Sequence, residues 1–129
     1  IDANQELEDI ILQNIQKAGF EKKIKLLIGQ ALDIIPTINE RFDLVYIDAD
    51  KENLINYYEM IIPLLNNNGF IIVDNVLWYG KVVEPIANND IQTLSIQQFN
   101  EHVYNDSRVE NLIIPVRDGL NVIRKISDK

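Results

Sequence analysis

Leu7, Ile10, Ile11 and Ile15 recur at the three-and-four spacing of a helix; Asn4 or Asp2 can cap its start and Gly19 follows its last turn. This pattern predicts a helix over residues 4–18. In "KIKLLIG" the apolar positions Ile24, Leu26 and Ile28 alternate up to Gly29, as in a strand, and "ALDIIPTI" reads as a short helical segment disturbed by Pro36. The next strand is 43–48. Leu54, Tyr57, Tyr58, Ile61 and Leu65 mark one helical stripe, kinked or restarted at Pro63. "NNNG" at 66–69 reads as a turn, and 70–74 as a further strand. After Gly80 a polar loop leads to a helix near 91–105 that carries Ile91, Leu94, Phe99 and Val103 inward. "VENLIIPV" and "LNVIRKI" are two strands joined by the hairpin-turn chemistry of "RDG" at 117–119.

The alternation of strand and helix is an α/β signature. Strands that are apolar on both faces predict a mostly parallel sheet with helices on both sides, finished by a C-terminal antiparallel hairpin. With 129 residues and 47% hydrophobic content, one domain is expected. No apolar run approaches the roughly 18 to 20 residues of a membrane span. The absence of cysteine removes disulfides, thiol nucleophiles and zinc-thiolate sites, and fits a reducing compartment, so a cytoplasmic location is expected. A net charge of −8 opposes an extended phosphate-binding surface and disfavours nucleic acid as partner. The chain opens with "IDANQ", the end of a strand running into a helix, and so reads as a piece of something longer.

Two strands end in acid. "FDLVYIDADKEN" closes on Asp48, Asp50 and Lys51, and "GFIIVDNVLW" on Asp74 and Asn75. In open α/β sheets ligands bind beyond the carboxyl ends of strands, so Asp48, Asp74 and Asn75 offer three oxygen ligands to a hard divalent cation. Either acid can instead cap the element that follows it. Asp50 lies beyond the strand and belongs to the loop. Lys51, three residues after Asp48, is either a solvated side chain or a general base whose pKa a nearby cation would lower. Asp2 stands where nucleotide-binding folds hold ribose hydroxyls with an acid, or caps the first helix. Trp78 and Tyr79 either cover a flat substrate or pack under their loop. His102, on an amphipathic helix far from the acids, reads as a packing or surface residue.

"FDLVYIDADKENLINYYEMIIPLL", "GFIIVDNVLWYGKVV" and "RVENLIIPVRDGLNVIRK" resemble the cation-dependent O-methyltransferases of the caffeoyl-CoA and catechol type, over essentially the whole chain. The resemblance implies a Rossmann-like methyltransferase fold. It also implies that Asp48, Asp74 and Asn75 hold a divalent cation, Mg²⁺ or else Ca²⁺ or Mn²⁺, and that Lys51 is the catalytic base. Asp2 would bind the ribose of S-adenosylmethionine, Gly29, Ala31 and Leu32 its adenine side, and Asp48 would serve the cofactor as well as the metal. The implied reaction is methyl transfer to a hydroxyl of a catechol-like or hydroxycinnamoyl small molecule by a homodimer, with Trp78 and Tyr79 near the substrate. The family's first strand and Gly-rich loop are absent from this sequence, so residues 1–129 read as the C-terminal part of such a domain. Two alternatives stand beside this reading: a member of the same family that methylates hydroxyuridine in tRNA, and a receiver-type phosphoacceptor module.

Overall fold

The computed structural model describes residues 1–126. The chain divides into two units, Ile1–Ile38 and Asn39–Lys129. In the first, Asn4 caps a 3-10 turn by accepting from the Glu6 amide at 3.0 Å, and α1 (Glu8–Ala18) follows. Glu8 and Asp9 lie at its positive end and Lys17 at its negative end, which complements the helix dipole. The expected strand at 24–28 does not form. Its alternation ends in one isolated parallel bridge, Asp2 to Ile28, and Ile24 is exposed, because alternation becomes a strand only where a neighbouring backbone takes up its hydrogen bonds. Helix α2 (Ala31–Ile34) passes into a 3-10 turn at Ile35–Thr37, where Pro36 sits in the first turn, as its missing N–H allows.

The second unit holds a four-stranded sheet. Strand β1 (Phe42–Ile47) leads through a 3-10 turn at Lys51–Asn53, α3 (Leu54–Ile61) and a second 3-10 turn at Ile62–Leu64 into β2 (Leu65–Asp74). Helix α4 (Ile91–Tyr104) precedes the hairpin of β3 (Val109–Ile114) and β4 (Leu120–Lys125). The order is β1-β2-β4-β3, with β1 and β2 parallel and both other pairings antiparallel. The sheet is therefore mixed, and its parallel character is confined to the one pair joined by a helical crossover. The tight turn before β4 forces β3 and β4 to pair antiparallel.

Residues 66–69 lie inside β2 rather than in a turn. The register passes from Phe42 opposite Leu65 directly to Leu44 opposite Phe70, so the turn-forming residues are absorbed as an irregularity, with Asn68 at φ 64°. Helix α4 buries Thr93, Ile96, Phe99 and Val103, whereas Ile91 and Leu94 are exposed, against expectation. Phase explains it: nine residues at about 100° each place Leu94 roughly half a turn away from Val103.

Alternate sheet residues Ile47, Ile71, Val73 and Ile123 are buried, as are Leu54, Tyr57, Tyr58 and Ile61 of α3 and Ile96, Phe99 and Val103 of α4. The other face carries Leu44, Tyr46, Phe70 and Leu112, all exposed among the described residues. Among the described residues of the buried face, Asn121 and Lys125 are polar and fully buried: Asn121 Oδ1 accepts from Asn111, and the Lys125 ammonium donates to the carbonyls of Ile62 and Leu65 at 3.1 Å each. Among the described residues no helix is long and apolar enough to cross a membrane.

Candidate active site

The two acid-ended strands are neighbours, and their parallel pairing brings both carboxyl ends to the same edge of the sheet. Asp48 lies just past β1, Asp74 is the last residue of β2, and Asn75 follows in the left-handed conformation at φ 61°, which asparagine tolerates better than most residues. Lys51 opens the turn before α3 and is only 7% exposed. Its Nζ donates to the Asp74 carbonyl at 3.0 Å and to Asn75 Oδ1 at 3.2 Å, and lies 3.9 Å from Asp48 Oδ1. The Asp48 carboxylate and the Asn75 side-chain oxygen thus face one positive charge, which Asp74 meets through its main-chain carbonyl while its carboxylate is held by Tyr46 and the Asn75 amide. The arrangement is all-oxygen, and a hard divalent cation fits such a donor set.

Burial lowers the pKa of Lys51 from its ordinary value, against the pull of Asp48, Asp74, Asp118 and Asp50. The neutral amine is thereby made accessible nearer to physiological pH. A neutral amine carries two hydrogens and one lone pair. The two hydrogen bonds of Lys51 use the hydrogens and leave the third tetrahedral position to accept a proton.

Asp50 takes no part in this group. Its oxygens accept from the Tyr57 hydroxyl at 2.5 Å and from Asn53 at 2.6 Å, so it belongs to the loop, as its position beyond the strand indicates. Asp74 Oδ1 accepts from the Asn75 amide at 2.7 Å, and Asp74 Oδ2 accepts from the hydroxyl of Tyr46. That bond to Asp74, with smaller contributions from burial and from the charges of Asp74 and Asp48, pushes the Tyr46 phenol up to about 12.

Trp78 and Tyr79 both have positive φ, 47° and 56°, in the loop after Asn75. The hairpin turn braces this loop: Val76 N–H donates to the Gly119 carbonyl at 3.2 Å, Leu77 N–H to the Asp118 carbonyl at 2.9 Å, and Tyr79 N–H to Asp118 Oδ1 at 2.5 Å. The Tyr79 ring is 83% exposed and does not pack under the loop; the half-buried Trp78 lies 5.7 Å from it. Sequence reading missed Tyr46 and the bracing role of Asp118. The one local signal for Tyr46 was its polar hydroxyl in an apolar strand two residues before Asp48; its partner Asp74 follows only from the register.

In the first unit, Asp2 is tied by its amide to the Leu27 carbonyl at 3.0 Å and by its carbonyl to the Gly29 amide at 2.9 Å. Its Oδ1 accepts from the Asn4 amide at 2.8 Å, so one oxygen does cap the following turn. Gly29 has φ 144°, and a Cβ there would lie 3.1 Å from Ile34 Cδ1, so both backbone and space favour glycine. Ala31 and Leu32 form the first turn of α2, directly after it.

His102 packs, as expected. Its ring meets Tyr58 edge-on at 5.7 Å and its Nε2 lies 2.7 Å from Glu59 Oε1. Glu59, His102 and Asp106 come within one metal's reach of each other, but Arg108 already supplies the cation, at 2.7 Å from Glu59 and 2.6 Å from Asp106.

The chain is similar to known proteins in both sequence and fold. The chain is 34% identical over 131 residues to "Probable caffeoyl-CoA O-methyltransferase 2" of Dictyostelium discoideum, covering 98% of the chain and 57% of that protein. It is 35% identical over 138 residues to caffeoyl-CoA O-methyltransferase 2 of Populus trichocarpa, covering 98% of the chain and 56% of that protein. The solved O-methyltransferase of Bacillus cereus in complex with SAH superposes with a TM-score of 0.86 at 29% identity, over 95% of this chain and 60% of that one. The fold is that of the Rossmann-like methyltransferases, and the chain spans a little over half the length of the curated relatives. A family model described as O-methyltransferase matches residues 1–126, and with strand-end acids, buried lysine and terminal hairpin in place, the chain belongs to the O-methyltransferase family.

Proposed function

We propose that this chain carries the metal and base half of an S-adenosylmethionine-dependent, divalent-cation-dependent O-methyltransferase acting on a catechol-like or hydroxycinnamoyl small molecule. The observation that supports the reading is that the buried Lys51 ammonium joins the two acid-ended strands, reaching the Asp48 carboxylate, the Asn75 side-chain oxygen and the main-chain carbonyl of Asp74. Family membership removes the receiver-type phosphoacceptor reading. No observation favours tRNA, and a net charge of −8 opposes it.

Asp48, Asp74 and Asn75 would hold the cation through oxygen, Mg²⁺ first among the hard candidates. When bound, the cation would acidify a chelated substrate hydroxyl, and the sulfonium of S-adenosylmethionine would supply the methyl group. Lys51 takes the hydroxyl proton at Nζ, through the lone pair that its two hydrogen bonds leave over. The carboxylates keep the resulting ammonium paired with negative charge. Asp2 takes the ribose hydroxyls, Gly29, Ala31 and Leu32 flank the adenine, and Asp48 serves the cofactor as well as the metal. Tyr79 offers an exposed ring on a loop braced by the hairpin turn, suited to a flat aromatic acceptor, with Trp78 beside it. The resemblance also carries a homodimer and a cytoplasmic location, which light scattering and cell fractionation test.

The deciding experiment is methyl transfer from S-adenosylmethionine to a simple catechol by the full-length protein, with and without excess chelator. Asp48→Asn and Asp74→Asn should each remove most activity while leaving the circular-dichroism spectrum and melting curve intact. Activity undiminished by thorough chelation refutes the metal-dependent reading.

A further inference from the structure

Tyr46 poses a problem that packing does not solve. Within residues 1–126 it is 56% exposed, on the sheet face away from α3 and α4, so in this chain burial of its ring contributes little. Its neighbours on that face, Leu44 and Phe70, are apolar and exposed too, and an aliphatic or phenyl side chain would serve the sheet equally well. What distinguishes Tyr46 is its hydroxyl. The register sets Tyr46 opposite Ile72, two residues before Asp74 on the same face of the adjoining strand, and the hydroxyl reaches along that face to Asp74 Oδ2.

The other oxygen of the same carboxylate, Oδ1, accepts from the Asn75 amide at 2.7 Å. Asp74 is thus gripped at both oxygens, by a side chain of the next strand and by the backbone that follows it. Two grips on opposite oxygens stop rotation of the carboxylate about its last torsion. An ionised carboxylate offers about four lone-pair positions, so two remain for a cation. Ordering a free carboxylate costs entropy at the moment of binding, and here that cost is met in advance.

We propose that Tyr46 is a positioning residue: its hydroxyl fixes the carboxylate of Asp74 in the orientation that receives the divalent cation. This rests on the metal reading above. Partners that orient metal ligands typically contribute 10- to 100-fold in metal affinity, and the exposed position of Tyr46 places it at about the lower figure.

The test uses the full-length protein and Mn²⁺ as probe, with free Mn²⁺ followed by electron paramagnetic resonance and no substrate or methyl donor present. Tyr46→Phe keeps the ring and removes only the hydroxyl; it should weaken Mn²⁺ binding about tenfold with the metal-free melting temperature unchanged. Asp74→Asn is the control for the reading beneath the proposal. If Asp74→Asn leaves Mn²⁺ affinity unaltered, the metal reading falls and Tyr46 with it. If Asp74→Asn abolishes binding while Tyr46→Phe stays within twofold of wild type or binds more tightly, the positioning role is refuted and the metal site stands. A Phe variant whose metal-free melting temperature falls together with its affinity assigns Tyr46 to the sheet and likewise overturns the proposal.

Discussion

Replacing Lys51 by methionine in the full-length protein separates proton transfer from mere binding. Methionine keeps most of the length and apolar volume of the lysine stem, so the buried site should remain filled. What is lost is one nitrogen with two hydrogen bonds, to the Asp74 carbonyl and to Asn75 Oδ1. A partly buried acceptor left without its donor costs about 1 to 3 kcal/mol, less where water can enter, so a measurable fall in melting temperature is expected without unfolding. A positioned general base contributes about 10² to 10⁴ in rate, or roughly 3 to 5 kcal/mol of barrier. The rate should therefore fall by at least a hundredfold, while the dissociation constant for S-adenosylmethionine changes little.

The pH dependence supplies the sharper sign. Burial lowers the pKa of Lys51 in the folded protein. The wild-type rate should rise with pH as the ammonium loses its proton, with its midpoint below the ordinary lysine value of 10.5. Lys51→Met should lose this rise. The same shift affects folding: charging the buried amine costs stability below its folded pKa, and that cost fades as pH rises toward the unfolded value. Lys51→Arg keeps the charge but cannot shed its proton at neutral pH, so it should be as slow as the methionine variant. The assay is single-turnover methyl transfer to a catechol from pH 6 to about 10, at saturating methyl donor. An arginine variant within a fewfold of wild type, or a methionine variant with an unaltered pH profile, would show that Lys51 acts only as a fixed charge.

How much of this was legible in the sequence depends on whether the signal is local. The ends of β1 and β2 were readable because an apolar run that stops in Asp or Asp-Asn declares itself within six residues. Parallel pairing then brings the two ends together. The bond from Tyr46 to Asp74 was not readable. It depends on register, and a slip of one residue would turn the hydroxyl to the other face. Strand β4 hid its orientation for a related reason: in "LNVIRK" both alternating sets contain apolar residues. The structure buries Asn121 and Lys125 with Ile123: Asn111 donates to Asn121 Oδ1, and the carbonyls of Ile62 and Leu65 accept from the Lys125 ammonium. Those partners are 10 and 60 or more residues away. The alternation of residues 24–28 failed in the opposite direction, giving a pattern without a partner beyond the single bridge at Ile28.

The salt-bridged corner where α4 meets β3 gives a stability prediction. Burial works to raise the pKa of Asp106, but hydrogen bonds from Arg108 and Tyr58 outweigh it and bring the carboxyl from 3.8 down to about 2. Being depressed in the folded state, it stabilises fully at neutral pH, and the contribution of about 2 kcal/mol is lost as pH falls from 3.8 through about 2. Asp106→Asn should thus lower neutral-pH stability in urea and flatten the acid loss in that window; an acid profile identical to wild type would contradict the assignment. The final prediction joins the hairpin turn to the site. Gly119 has φ 85°, and a Cβ there would lie 2.9 Å from Leu77 Cδ1 and closer still to Leu77 Cγ, near the root of a side chain that cannot swing clear. Gly119→Ala therefore costs about 1 to 2 kcal/mol in backbone strain and displaces Leu77, whose N–H donates the hydrogen bond to the Asp118 carbonyl that anchors the segment two residues beyond Asn75. Displacing that anchor moves Asn75 relative to Asp74, so Mn²⁺ affinity should fall together with the melting temperature. A variant that melts lower but binds Mn²⁺ as tightly as wild type would show that the hairpin supports the fold without setting the geometry of the ligands.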